Sequence, residues 1–226
     1  MLSSADHRPR GLALLASRLR TATIRRPMSL TVLNGVAYFG LRAPLPEFPA
    51  LLRKHLELNP RTQAIEELGC ELIRSDFAKT LIPDFVEAVC GWGGYSGIGG
   101  RVLKHNPIHH LQSSFSSATK SLNGGNVAGA LVTVNSIRGL GSPSFGSKHL
   151  RFLRPDLCPV LDSLLREALP YSFDPDGYAQ FSSDCLALGL ALSDSKIPNP
   201  RNRPEAAWYA ADVEGALYVF RRQQVV

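Results

Sequence analysis

An all-α fold is predicted, on two observations. Most stretches between proline or glycine breaks carry apolar residues three or four apart, and the connections between them are short. A chain of 226 residues can bury a sizeable core as one large domain or two lobes, and two lobes with a shared cleft are expected. No apolar run approaches the roughly 20 residues of a spanning helix, so no membrane segment is expected.

Residues 1–27 hold six arginines and a single acid, Asp6, around the short apolar run Leu12 to Ala16. An arginine-rich, acid-poor start has the composition of a targeting presequence, but a basic tail or first helix touching a polyanion is preferred. Residues 28–226 form the helical domain. From Ser29 to Leu41, the apolar positions suit a buried helix, whereas the β-branched Thr31, Val32 and Val36 suit a strand, and both readings stay open.

Helices are predicted from Glu47 to Leu58 and, with Asn59 as N-cap and Pro60 at the first position, to about Ile73. The second places Ile65, Leu68 and Leu72 inward and Glu66, Glu67 and Glu71 outward. Pro83 to Cys90 is a further helix, running into the glycine-dense stretch Gly91 to Gly100. That stretch lacks a P-loop ending; it reads as a bend between helices with Trp92 in the core, or as a surface where Trp92 and Tyr95 stack a base. Leu111 and Phe115 indicate a helix to Ser121. Asn126 is a plausible cap for Val127 to Ile137, which exits through Arg138-Gly139-Leu140-Gly141. Pro159 to Leu169 forms a helix with Asp162 in its first turn. Asp174-Pro175 opens a long helix to Leu192, residues 197–204 are an irregular proline-rich loop, and Glu205 to Arg222 closes the chain as a helix.

The net charge of +6 is unevenly spread. Between Ala88 and Pro155 there is no acid, but Arg101, Lys104, Lys120, Arg138, Lys148, Arg151 and Arg154 are present. Such a segment suits a polyanion laid across one face. Cys70, Cys90, Cys158 and Cys185 are widely separated, which argues for reduced thiols in a cytoplasmic setting. The histidine and cysteine spacings suggest no metal, and no cofactor is expected.

The most informative stretch is Ser142-Pro143-Ser144-Phe145-Gly146-Ser147-Lys148, followed by Cys158-Pro159-Val160-Leu161-Asp162. Read as a turn feeding a helix, it places Lys148 in the opening turn, with Leu150 and Leu153 inward and the basic residues outward. A cation there opposes the helix dipole. Partial desolvation lowers its preference for the protonated form, as a nucleophilic amine requires. A second register takes Gly139-Leu140-Gly141 as the turn and moves Lys148 into the middle of the next helix.

Ser-Pro-Ser-Phe-Gly-Ser-Lys resembles the hairpin of the helix-hairpin-helix DNA glycosylase superfamily, and Pro-Val-Leu-Asp resembles its aspartate-bearing segment. The 8-oxoguanine glycosylase-like bacterial branch is the nearest in pattern. The resemblance covers roughly residues 136 to 166, within a hairpin and catalytic region at about 126–169. It implies a two-lobed helical bundle with a helix-hairpin-helix motif and an active site in the inter-lobe cleft. It also implies that Lys148 attacks a deoxyribose C1′ with Asp162 assisting. On this reading Ser144, Gly146, Ser147, His149, Arg151 and Arg154 contact DNA, and candidate base-pocket residues are Trp92, Tyr95, Phe145, Phe181 and Trp208. The expected partner is double-stranded DNA carrying a damaged or modified base, bound by a monomer. The alternative is a DNA-binding protein without catalysis.

Overall fold

The computed structural model describes residues 30–38, 41–141 and 143–224. The basic segment at 1–27 lies outside them. The described chain is mostly helical, as predicted, with one small sheet at its start.

Strands β1 (Thr31–Leu33), β2 (Val36–Tyr38) and β3 (Arg42–Pro44) form an antiparallel sheet in chain order. The strand reading of this region is therefore the correct one. Its cause is local: Asn34 and Gly35, between the paired Leu33 and Val36, both take positive φ (51° and 71°), as a two-residue hairpin turn needs.

Helices α1 (Phe48–Leu58), α2 (Thr62–Arg74), α3 (Ile82–Trp92), α4 (Ser96–His105), α5 (Ile108–Asn123), α6 (Val127–Asn135), α7 (Ser144–Leu153), α8 (Ser163–Ala168), α9 (Pro175–Asp194) and α10 (Ala210–Gln223) follow. Two predicted caps are present: Asn126 accepts from Gly129 N–H at 2.8 Å, and Asp174 accepts from Gly177 N–H at 2.8 Å. Asn59 does not cap α2. Its side-chain amide donates instead to His55 O at 3.0 Å, closing the end of α1. The last helix begins at Ala210, because Pro204–Ala206 is a separate 3-10 turn.

Helix α7 is the central element, packed by α2, α3, α5 and α6, with its residues Gly146 to Leu153 all buried. An all-round-buried helix cannot face its basic residues to solvent. The expectation that they point outward fails for His149 and Arg151, which are 0% and 1% exposed. Arg151 pairs with Glu66 at 2.8 Å as a charge contact and lies 4.3 Å from the Phe152 ring centroid. Glu66, expected outward, is likewise buried. It accepts from Arg201 at 2.6 Å and Arg203 at 2.9 Å, and Arg203 also meets Asp212 at 2.7 Å. Among the described residues no helix is long and apolar enough to cross a membrane.

Candidate active site

The turn between α6 and α7 decides where Lys148 sits. Gly139 and Gly141 both have positive φ (85° and 78°), Pro143 stands at the N-cap of α7, and Ser147 N–H makes the first backbone bond of the helix, to Pro143 O at 2.9 Å. Lys148 is thus in the middle of α7, not in its opening turn, and the second register holds. The Ser147 amide, expected to meet a phosphate, is already bonded. Gly146 is closed off as well: a Cβ there would lie 2.2 Å from Asn135 Oδ1 on α6.

The Lys148 side chain runs beneath the bend that follows α3. Gly93 makes this possible, because a Cβ at that position would stand 2.9 Å from both Lys148 Cδ and the Phe145 ring. The ammonium donates to the neutral Ser144 hydroxyl at 2.7 Å and lies 4.9 Å from the Phe145 ring centroid. Lys148 is 6% exposed. Burial lowers its pKa, opposed first by the charge of Asp162.

Asp162 stands on an irregular segment, residues 154–162, that other elements hold by its backbone. The α10 amides of Ala211 and Ala210 donate to Pro155 O at 3.1 Å and Asp156 O at 3.3 Å. From α9, Tyr178 Oη donates to Pro159 O at 3.0 Å and the Ser182 hydroxyl to Leu157 O. Ser147, beside the lysine, accepts from Leu161 N–H at 3.3 Å, which ties α7 to the residue before Asp162. The carboxylate then caps α8, accepting from Leu165 N–H at 3.0 Å; it is the N-cap residue, and the helix expected from Pro159 starts at Ser163. Asp162 is half-buried, and its charge opposes the lowering of the Lys148 pKa, though the two form no ion pair.

The other predicted site residues separate into two groups. Tyr95, 67% exposed, meets Phe145 edge-on at 6.2 Å, and Phe145 in turn adjoins the lysine. Trp92, Phe181 and Trp208 serve the core: Trp92 donates to Thr62 Oγ1 at 3.0 Å, Phe181 is fully buried against Tyr171, and Trp208 donates to Ile197 O at 2.8 Å. Of the predicted DNA contacts, Ser144 and Ser147 instead serve the lysine and the Asp162 segment. His149 stacks on Phe115 at 5.7 Å with Nδ1 against Phe145 O at 2.7 Å. Its burial lowers its pKa to about 4, so it carries no charge for a phosphate near neutrality. Arg154 is committed to Asp156, at 2.9 and 2.7 Å, and to Asn123.

Other cations of the acid-free segment lie at the surface. Arg101, Lys104 and His105 on α4 and Arg138 on the turn are all exposed. Asn106 fastens the two elements with a reciprocal pair, donating to Arg138 O at 2.8 Å and accepting from Arg138 N–H at 3.1 Å. Arg101 packs against Gly139, where an added Cβ would be 3.2 Å from its Cγ. The acid-free run from Ala88 contains all of these cations and was the available signal. Comparison with protein-family models, curated proteins and solved structures finds no match to the chain.

Proposed function

We propose that the chain is a DNA N-glycosylase that excises a damaged or modified base through an imine intermediate. The supporting observation is a buried lysine amine whose pKa burial lowers, with the nearby segment before α8 tied to the same helix by the Leu161 N–H to Ser147 bond and ending in the capping Asp162. Lys148, once deprotonated, forms an N–C1′ bond as the glycosidic bond breaks. The bonding pair leaves with the base, which takes up a proton, and ring opening of the sugar gives the Schiff base. Asp162 stabilises positive charge on the sugar while the base departs, as carboxylates do in glycoside cleavage. The base reaches the amine only when flipped from the duplex, at a cost of a few kcal/mol that is least for a damaged or mispaired nucleotide. Tyr95 and Phe145 are the rings placed to stack it.

The finer fold in this proposal is a two-lobed helical bundle, in which α6, the glycine turn and α7 are the hairpin. Arg101, Lys104 and Arg138 take the phosphate-holding role first expected of Arg151 and Arg154, positioning the duplex without reading its sequence. Arg101→Glu and Arg138→Glu should each weaken duplex binding about tenfold at low salt. The slope of log affinity on log salt should become shallower by about one for each phosphate that is no longer neutralised. Fluorescence anisotropy across a salt series measures both.

The reading itself is tested by borohydride trapping on a panel of modified-base duplexes. A covalent protein–DNA adduct on at least one duplex is expected. Salt-dependent binding with neither adduct nor released base on any duplex selects the non-catalytic alternative.

A further inference from the structure

Lys148 is too enclosed, as it stands, to meet a sugar carbon. It is 6% exposed, and an attacking nitrogen has to come within about 3 to 3.5 Å of its target with room for the rest of the nucleotide. Two contacts pin the side chain. At the tip Nζ donates to Ser144 Oγ at 2.7 Å, and along the stem Gly93 lies so close that an added Cβ would be 2.9 Å from Cδ and 3.2 Å from Cε.

The cover is the three-residue bend Gly93-Gly94-Tyr95, which runs between two anchored elements. Before it, Trp92 is fixed by its bond to Thr62 Oγ1 at 3.0 Å and by the Phe152 ring, 5.0 Å away between centroids. After it, α4 packs on α3 so tightly that a Cβ on Gly99 would lie 3.2 Å from Glu87 Cα. The bend itself carries one side chain, Tyr95, whose ring contact among the described residues is the edge of Phe145 at 6.2 Å. Backbone bonds hold the rest: Gly93 N–H to Val89 O at 3.0 Å, Gly94 N–H to Gly91 O at 3.2 Å and Tyr95 N–H to Cys90 O at 3.2 Å. Gly94 has a φ of 86°, and a Cβ there would meet no described atom within 4 Å. A short span with little packing to lose and a glycine free to change φ has the makings of a hinge.

We propose that Gly93-Gly94-Tyr95 is a flap that hinges at Gly94 and lifts to let the Lys148 amine meet a deoxyribose, with the edge contact of Tyr95 on Phe145 as its latch. This deepens the glycosylase reading and rests on it for the identity of the incoming group. Because the lysine is pinned at tip and stem, access comes from movement of the backbone above it. Lifting also parts Tyr95 from Phe145, the two rings assigned to the base, so one motion uncovers the amine and the stacking surface together. Until then the amine is shielded from water and from stray carbonyl compounds.

The hinge and the latch are tested without DNA, by the rate at which acetic anhydride labels Lys148 in the intact protein at fixed pH, read by peptide mass spectrometry. Gly94→Ala removes no contact, but a side chain at that φ disfavours the bent state, so labelling should rise about fivefold or more. Tyr95→Ala releases the latch and should raise it about threefold or more. Alkylation of Cys158, fully buried in the segment before α8, should keep its wild-type rate in both variants, which separates local lifting from general loosening. Should Gly94→Ala fold poorly, Tyr95→Ala read against Cys158 carries the test. Labelling that is unchanged in the variants, that rises only in step with Cys158, or that in wild type already matches the exposed Lys120 overturns the flap. If labelling responds as expected while wild type traps no imine on any duplex, the flap stands and the glycosylase reading falls. Trapping without any labelling response keeps that reading and removes the flap.

Discussion

On the glycosylase proposal, Lys148→Met should abolish the borohydride-trapped adduct and lower base release on the order of 10³-fold or more, while the protein should melt no lower than wild type. The two halves of this expectation have separate causes. Lys148 is buried with its ammonium on a hydroxyl and a ring face, so methionine fills the same channel beneath Gly93 without a charge to desolvate. Loss of activity with retained stability then reports the chemistry of the amine. Asp162→Asn is the matching experiment at the other group. Asparagine still accepts from Leu165 N–H, so the α8 cap survives and only the charge is lost. Single-turnover base release should fall by about 10²- to 10⁴-fold. Release that survives Lys148→Met but is lost in Asp162→Asn would instead assign the attack to a water activated by the aspartate.

What the sequence discloses here follows from how far apart the interacting residues lie. Helices α1, α3, α5 and α9 were legible because their apolar spacing, and the proline in the first turn of α1, α3 and α9, are local. The Asn34-Gly35 hairpin was equally local, and its signal was present even though the region also permitted a helix. The surroundings of α7 were not legible. Whether His149 and Arg151 face water depends on helices that arrive from elsewhere in the chain, and the acid meeting Arg151 is Glu66, on α2. Glu66 stands at the edge of the buried face of its helix, at helical spacing from Thr62 and Gly69, and it was its charge that suggested solvent. The register of the turn was ambiguous for another reason: Ser144 to Ser147 suit a turn as well as a first helical turn. The helix prevails because Gly146 fits against Asn135 and Leu131 of α6.

Glu66→Gln should destabilise the fold by about 3 to 5 kcal/mol, the usual cost of removing one partner from a buried ionic cluster. Burial alone would raise the Glu66 carboxyl, but Arg151, Arg203 and Arg201 overcome it and hold the pKa at about 2. The sign of the pH dependence follows. A carboxyl whose folded pKa is depressed contributes stability above its unfolded value, 4.5, and that contribution is lost as pH falls from there toward 2. A separation of about 2.5 in pKa corresponds to about 3 kcal/mol, in keeping with the mutational cost. Chemical denaturation at pH 7 should therefore show a large gap between wild type and Glu66→Gln, narrowing steadily between pH 4.5 and 2. A gap that stays constant across that window would mean Glu66 acts by packing rather than by charge. The consequence extends to the site, because Arg151 lies one helical turn beyond Lys148 and is fixed by Glu66 on one side and by the Phe152 and Trp92 rings on the others. With Glu66 neutral, Arg201 and Arg203 keep Asp212 as an ion-pair partner, whereas Arg151 loses the only carboxylate that it meets in an ion pair among the described residues.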